Sequence, residues 1–171
     1  MSSLQKKVCL LGEFAVGKTS LVRRFIEGVF EDKYLSTIGT KVSRKKFQFS
    51  KGTQNIGLTM LIWDLAGGEK FDRMMRNYYR GSAGAIIVCD LTRPETTQAL
   101  ERYAQDFWSI NANAPLVVVG NKADLVDERR VSDEELAVAA KKCKANYFVS
   151  SAKTGKDVET LFEALGQKII A

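Results

Sequence analysis

An α/β domain built on a mostly parallel sheet is what these 171 residues predict. Two runs, "GAIIVCDL" and "APLVVVGNK", are continuously apolar, the pattern of strands buried on both faces. Strand-like and helix-like patterns alternate along the whole chain, the order that parallel crossover units produce. The length suits one domain, residues 1–171, and is enough to bury a substantial core.

The elements follow in turn. "KKVCLL" is a short apolar strand, then comes a glycine loop, then "KTSLVRRFIEG", where Leu21, Val22, Phe25 and Ile26 share one helical face. "KKFQF" and "GLTMLIWD" read as a pair of strands joined by "SKGTQNI". The helical pattern "PETTQALERYAQDFW" precedes the second apolar run, and "SDEELAVAAKKC" follows it. "ANYFVSS" is a last strand and "DVETLFEALGQKII" a last helix, with no linker or repeat between. In such sheets the functional loops stand at the carboxyl ends of the strands.

Composition removes several classes of function. Hydrophobic residues at 45% and charged residues at 27% describe an ordinary soluble globular chain. No apolar run is long enough to span a bilayer, and "MSSLQKKVCLL" does not read as a secretory signal. Neither a myristoylation glycine nor a prenylation cysteine is present, so the expectation is a cytoplasmic protein whose chain carries no membrane anchor. Cys9, Cys89 and Cys143 have no metal-ligand spacing and read as buried structural cysteines. There is no histidine, which removes the usual general base and any Ser-His or Cys-His nucleophile. Any catalysis therefore rests on positioning and electrostatics. The net charge of +6 is concentrated partly at Lys41, Arg44, Lys45, Lys46 and Lys51. That cluster reads as protection of a sheet edge rather than a nucleic-acid surface, since no aromatic residues interleave with it to stack bases.

The loop after the first strand carries the clearest chemistry. "GEFAVGKT", Gly12 to Thr19, fits G-x-x-x-x-G-K-[ST] between an apolar strand and an amphipathic helix. Its glycines let backbone N–H groups wrap phosphate oxygens, and the helix N-terminus adds its dipole. Lys18 can reach the β- and γ-phosphates, and the Thr19 hydroxyl can bind Mg²⁺.

Later loops choose the base. "GNKADL" sets Asn121, Lys122 and Asp124 directly after an apolar strand. An ionised carboxylate only accepts hydrogen bonds, and guanine offers two adjacent donors where adenine offers none. Asp124 thus disfavours an ATP-using kinase. Asn121 either braces the loop or meets N7, and the Lys122 stem can lie over the base. "SAK", Ser151 to Lys153, follows the last strand, where the Ala152 N–H can reach guanine O6.

The ordered set "GEFAVGKT", "STIG", "WDLAGGE", "NKAD" and "SAK" resembles the small GTPases of the Ras superfamily. "YLSTIG", "LIWDLAGGEKF" and "YYRGSAGAIIVCDLT" are most similar to the Rab branch, and the resemblance covers residues 6 to 170. It implies the P-loop NTPase fold with six strands and five helices, and a switch between GTP and GDP. It assigns nucleotide contacts to Ala15, Val16, Gly17, Lys18, Thr19, Ser20, Phe30, Tyr34, Thr37, Gly67, Asn121, Lys122, Asp124, Ser151, Ala152 and Lys153, with Phe30 stacking on the guanine. It assigns Mg²⁺ to Thr19, Thr37 and, through water, Asp64. Catalysis would involve Lys18, Thr37, Gly67 and the position of Gly68, with the Gly67 N–H on the γ-phosphate. Segments 31–41 and 66–80 would be the switches read by an exchange factor, an activating protein and effectors, on a chain expected to be a monomer.

Four departures qualify the resemblance. The family pattern D-x-A-G-Q-E ends in a glutamine that orients water, and here Gly68 replaces it. Intrinsic hydrolysis is therefore expected to be slow, and the alternative is a GTP-binding scaffold that effectively does not hydrolyse. Phe14 stands where many relatives have small residues, and it either lies over the γ-phosphate region or packs outward. Lys41 and Val42 replace an acidic and an aromatic residue, so the aromatic surface keeps Trp63 and Tyr78 and loses one member. No lipidated tail follows "QKIIA" in this sequence, which fits either a soluble relative or a chain whose tail was removed; peripheral membrane association would then need that tail or a partner.

Overall fold

The computed structural model describes residues 2–33 and 36–171. Its sheet has six strands in the order β2-β3-β1-β4-β5-β6. They are β1 (Ser2–Leu11), β2 (Thr40–Lys51), β3 (Gln54–Leu65), β4 (Ser82–Asp90), β5 (Leu116–Asn121) and β6 (Asn146–Val149). Only β2 runs antiparallel, against β3; every other pairing is parallel. The helices are α1 (Lys18–Glu27), α2 (Glu69–Met75), α3 (Pro94–Gln98), α4 (Leu100–Trp108), α5 (Asp133–Lys142) and α6 (Val158–Ile170). Ala99 between α3 and α4 keeps right-handed helical angles (φ −76°, ψ −14°), so these two are segments of one helix and the expected five helices stand. A short 3₁₀ turn, Arg76–Tyr78, extends α2.

The strand pair at the edge differs from its sequence reading. The seven residues expected to form a loop mostly belong to the ladder, which continues to Lys51 opposite Gln54 and leaves only Gly52 and Thr53 to turn. Likewise β1 begins at Ser2, paired with Ile56, four residues before the apolar run. The apolar pattern marks burial, whereas pairing is made by the backbone, so polar strand ends leave no periodic trace. The cationic cluster lies on β2, which pairs only with β3 and forms one edge of the sheet.

Side chains alternate along each strand and build a core on either side. On one face Val8, Leu10, Ile86, Val88, Val117 and Val119 pack beneath α1 and α6. On the other, Cys9, Leu11, Ile87, Cys89 and Val118 pack beneath α4 and α5. All three cysteines are free and buried, and burial pushes each thiol up to about 11. Their role is packing. Helix α5 opens with a capping box: Ser132 Oγ accepts from Glu135 N and the Glu135 carboxylate accepts from Ser132 N.

The α1–α6 side is held by an aromatic stack. Phe25 and Phe162 lie face to face with centroids 4.0 Å apart, and Phe47 stacks on Phe25 at 5.6 Å. Phe162 has no exposed surface. Phe162→Ala is expected to cost about 3–5 kcal/mol, read as a lower urea midpoint at fixed GDP and Mg²⁺; a loss below about 1 kcal/mol would contradict this packing.

Candidate functional site

The parallel order sets the loops after β1, β3, β4, β5 and β6 at one end of the sheet, where a cleft of about 330 Å³ opens. Phosphate-loop residues Phe14, Ala15, Gly17, Lys18 and Thr19 line one end of it, and Asn121, Lys122, Asp124, Ala152 and Lys153 line the other. Ser20, Phe30, Thr37 and Gly67 lie between. Tyr34 falls outside the described residues. Val16 has a fully buried side chain, so only its backbone is available to a ligand.

Lys18 opens α1 and folds back over the loop, where its ammonium donates to the carbonyls of Gly12 (2.9 Å) and Glu13 (3.0 Å). It is only 7% exposed. Burial lowers its pKa from 10.5 to about 8, against the opposing pull of Asp64 and Glu13. Thr19 Oγ1 donates to Asp64 Oδ2 at 2.6 Å, and the Thr19 and Thr37 hydroxyls touch. The other carboxylate oxygen, Asp64 Oδ1, is buried and has no hydrogen-bond partner among the described residues. Burial raises the Asp64 pKa, with Thr19 and Lys18 opposing. The Thr37 and Thr19 hydroxyls, with the half-satisfied Asp64 carboxylate beside Thr19, form an all-oxygen donor set, which suits a hard divalent cation such as Mg²⁺.

The base end is stitched to the phosphate end. Asn121, 2% exposed, donates from Nδ2 to Val16 O at 3.0 Å, and its Oδ1 accepts from Ala152 N at 3.3 Å. Asn121 therefore braces the loops, and the Ala152 N–H meets Asn121 Oδ1. Lys122 donates to Ala15 O at 2.9 Å and pairs with Asp90 at 2.8 Å. Burial works to raise the Asp90 pKa, but Lys122 and Thr92 outweigh it and hold it below the ordinary value. Ser151 Oγ donates to Asp124 Oδ1 at 2.7 Å, so Ser151 serves the cleft by orienting that carboxylate.

At the end of β3 the backbone presses on the phosphate loop. A Cβ on Gly67 would stand 2.1 Å from Gly12 O and 2.5 Å from Lys18 Nζ, a space that only glycine fits. Gly68 has φ 101° and ψ 153°, a region essentially closed to other residues. Phe14 lines the cleft with 48% of its surface exposed, and a Cβ on Gly68 would contact its Cβ at 3.5 Å.

The arrangement can wrap a polyphosphate, hold a divalent cation beside it and present a carboxylate to a base with two donors. A family model described as the Ras family matches residues 7–171. The chain belongs to the Ras family. It is 37% identical to the human Ras-related protein Rab-22A over 170 residues, 99% of this chain and 86% of that one. It is also 39% identical to the bovine Ras-related protein Rab-21 over 165 residues, 96% of this chain and 72% of that one. This is a Rab-like small GTPase, a GTP hydrolase acting as a GTP/GDP switch, in a family that generally uses Mg²⁺. Among the described residues no helix is long and apolar enough to cross a membrane.

Several members of this GTPase site escaped the sequence reading. Arg93 donates to Phe14 O at 2.6 Å, and Arg24 donates from Nε to Ala152 O at 2.8 Å. Asp90 also joins it, while Glu13, Asp72, Arg102 and Tyr103 form a network beside the cleft without lining it. Asp90 left one signal, a charged residue ending an otherwise apolar strand.

The Lys18 shift has a pH signature. Between about pH 8 and 10.5 the unfolded chain holds a Lys18 proton that the folded chain lacks, so this group's destabilisation, complete below 8, fades as pH rises. Bound phosphates favour the ammonium, so nucleotide binding above about pH 8 takes up a proton. GDP affinity is expected to fall by up to about tenfold per pH unit there; calorimetry in buffers of different ionisation enthalpy should find proton uptake at pH 9 and almost none at pH 7.

Proposed function

We propose that this GTPase reads guanine through Asp124 and turns over GTP slowly on its own, because Gly68 supplies no side chain to hold the attacking water. The observation that carries the rate is Gly68 itself, glycine in sequence and glycine-only in backbone angles. Losing one placed polar group from a hydrolytic site costs on the order of a hundredfold. Thr19, Thr37 and Asp64 would hold Mg²⁺, which when bound neutralises charge on the transferring phosphoryl group. Lys18 offers its ammonium to the β- and γ-phosphates, and the Gly67 N–H meets the γ-phosphate. Phe30 covers one face of the base, with the Lys122 stem on the other. Thr37 and Gly67 link nucleotide state to segments 31–41 and 66–80, which exchange factors, activating proteins and effectors would read on a monomeric, cytoplasmic chain.

The backbone at Gly68 changes the expected result of restoring glutamine. Any side chain there meets a conformational cost of about 1–3 kcal/mol, so Gly68→Gln should speed single-turnover hydrolysis by less than the full hundredfold. Gly68→Ala carries the same backbone cost without the polar group. Gln is expected to exceed Ala by at least tenfold; equal rates for the two would sink the account of the missing group.

Base choice has its own test. Asp124→Asn replaces an acceptor-only group with one that also donates, which suits the 2-oxo group of xanthine. GDP affinity should drop by roughly a hundredfold or more while xanthosine diphosphate gains, measured by competition against a fluorescent nucleotide. An unchanged guanine preference would remove Asp124 from the role.

A further inference from the structure

The Gly68 backbone N–H points at the hydroxyl of Tyr103 on α4, 3.4 Å away. That hydroxyl donates to Asp72 Oδ1 in α2 at 3.0 Å. The second oxygen of Asp72 accepts from Arg102 Nη1 at 2.7 Å, while Arg102 Nη2 donates to Glu13 Oε1 at 2.7 Å. One guanidinium thus bridges two carboxylates, one in the phosphate loop and one in the helix that follows Gly68. Tyr103 is 2% exposed and Asp72 9%. Burial raises the Tyr103 pKa, and the charges of Asp72 and Glu13 push it the same way, so the phenol stays a donor. Burial works against the Arg102 charge, but its bonds to Asp72 and Tyr103 outweigh it.

We propose that Arg102 is a positioning residue that fastens the start of α2 to the phosphate loop and so presents the Gly67 N–H to the γ-phosphate. The inference rests on the reading that Gly67 meets that phosphate. None of the four side chains need touch nucleotide. Their effect comes from geometry: with Glu13 and Gly68 tied through α4, the peptide at Gly67 is held against Gly12 and Lys18. The tie lowers the ordering cost that a γ-phosphate would otherwise meet when it recruits this segment. GDP lacks the group that uses the contact, so the tie favours GTP over GDP. A planar fork can serve both carboxylates at once; a lysine ammonium supplies charge without that fixed two-sided geometry.

The test compares affinities for a non-hydrolysable GTP analogue and for GDP, by displacement of a fluorescent nucleotide with Mg²⁺ present. R102A is expected to weaken the analogue by about five- to tenfold and leave GDP within twofold. R102K keeps the charge and is expected to lose most of the same preference; full recovery with lysine would overturn the bridge in favour of simple charge neutralisation. Amide exchange in segment 67–75 of the GDP form should speed up in both variants. Equal weakening of both nucleotides, or of neither, overturns the proposal. Gly67→Ala separates the underlying reading: its Cβ clashes with Gly12 O and Lys18 Nζ, so both nucleotides should weaken, the analogue by several-fold more than GDP. If Gly67→Ala leaves the preference unchanged, the γ-phosphate reading fails; if it lowers the preference and R102A does not, only the tie fails.

Discussion

The amide of Asn121 is the interaction on which the nucleotide cleft depends. It sits at the carboxyl end of β5 and touches the ends of three neighbours. Its side chain donates to Val16 O in the phosphate loop and accepts from Ala152 N beyond β6. Its backbone carbonyl accepts from Leu91 N beyond β4 at 3.1 Å. A buried amide of this kind is costly unless satisfied, and here each satisfied group belongs to a different loop. The phosphate loop and the loops after β4, β5 and β6 are therefore tied into one unit, and their spacing is set by the sheet.

Around that unit the charges are left poised. Lys18 is buried enough to depress its pKa to about 8, and Asp64 keeps an oxygen with no partner among the described residues. Neither arrangement favours the fold by itself. An anion at the lysine and a cation at the carboxylate, as proposed, would make both favourable and would link stability to ligand binding through the same two groups. The base end behaves differently. Lys122 pairs with Asp90, and Ser151 orients Asp124, so the surface proposed to meet guanine is already fixed.

The segment after β3 joins the two regimes. Gly67 is held tightly because its backbone has no room to carry a side chain, and Gly68 is held in angles that only glycine accepts easily. The double glycine thus has a structural reason beyond the missing glutamine. It lets the chain leave β3 at Leu65, cross the phosphate loop and enter α2 at Glu69, with three residues between. Phe14 fills part of the adjoining space, so the two departures from the family pattern are neighbours in space.

Much of this was legible along the chain. The phosphate loop, "NKAD" and "SAK" each place their chemistry within a few residues at the end of one strand, and local spacing is enough to read them. The alternation of elements was equally open, because burial on both faces leaves continuous apolar runs at β4 and β5. Polar strand ends were hidden, since a backbone ladder needs no particular side chain. The sequence by itself thus determined the family and its GTP/GDP switch, and it named the residues proposed to meet the nucleotide. Only the tertiary structure decided how those residues are held: Asn121 as a brace, Asp90 under Lys122, and Arg102 across 89 residues to Glu13. Contacts between distant positions obey no periodicity, so they become visible only when the sheet brings the loops together.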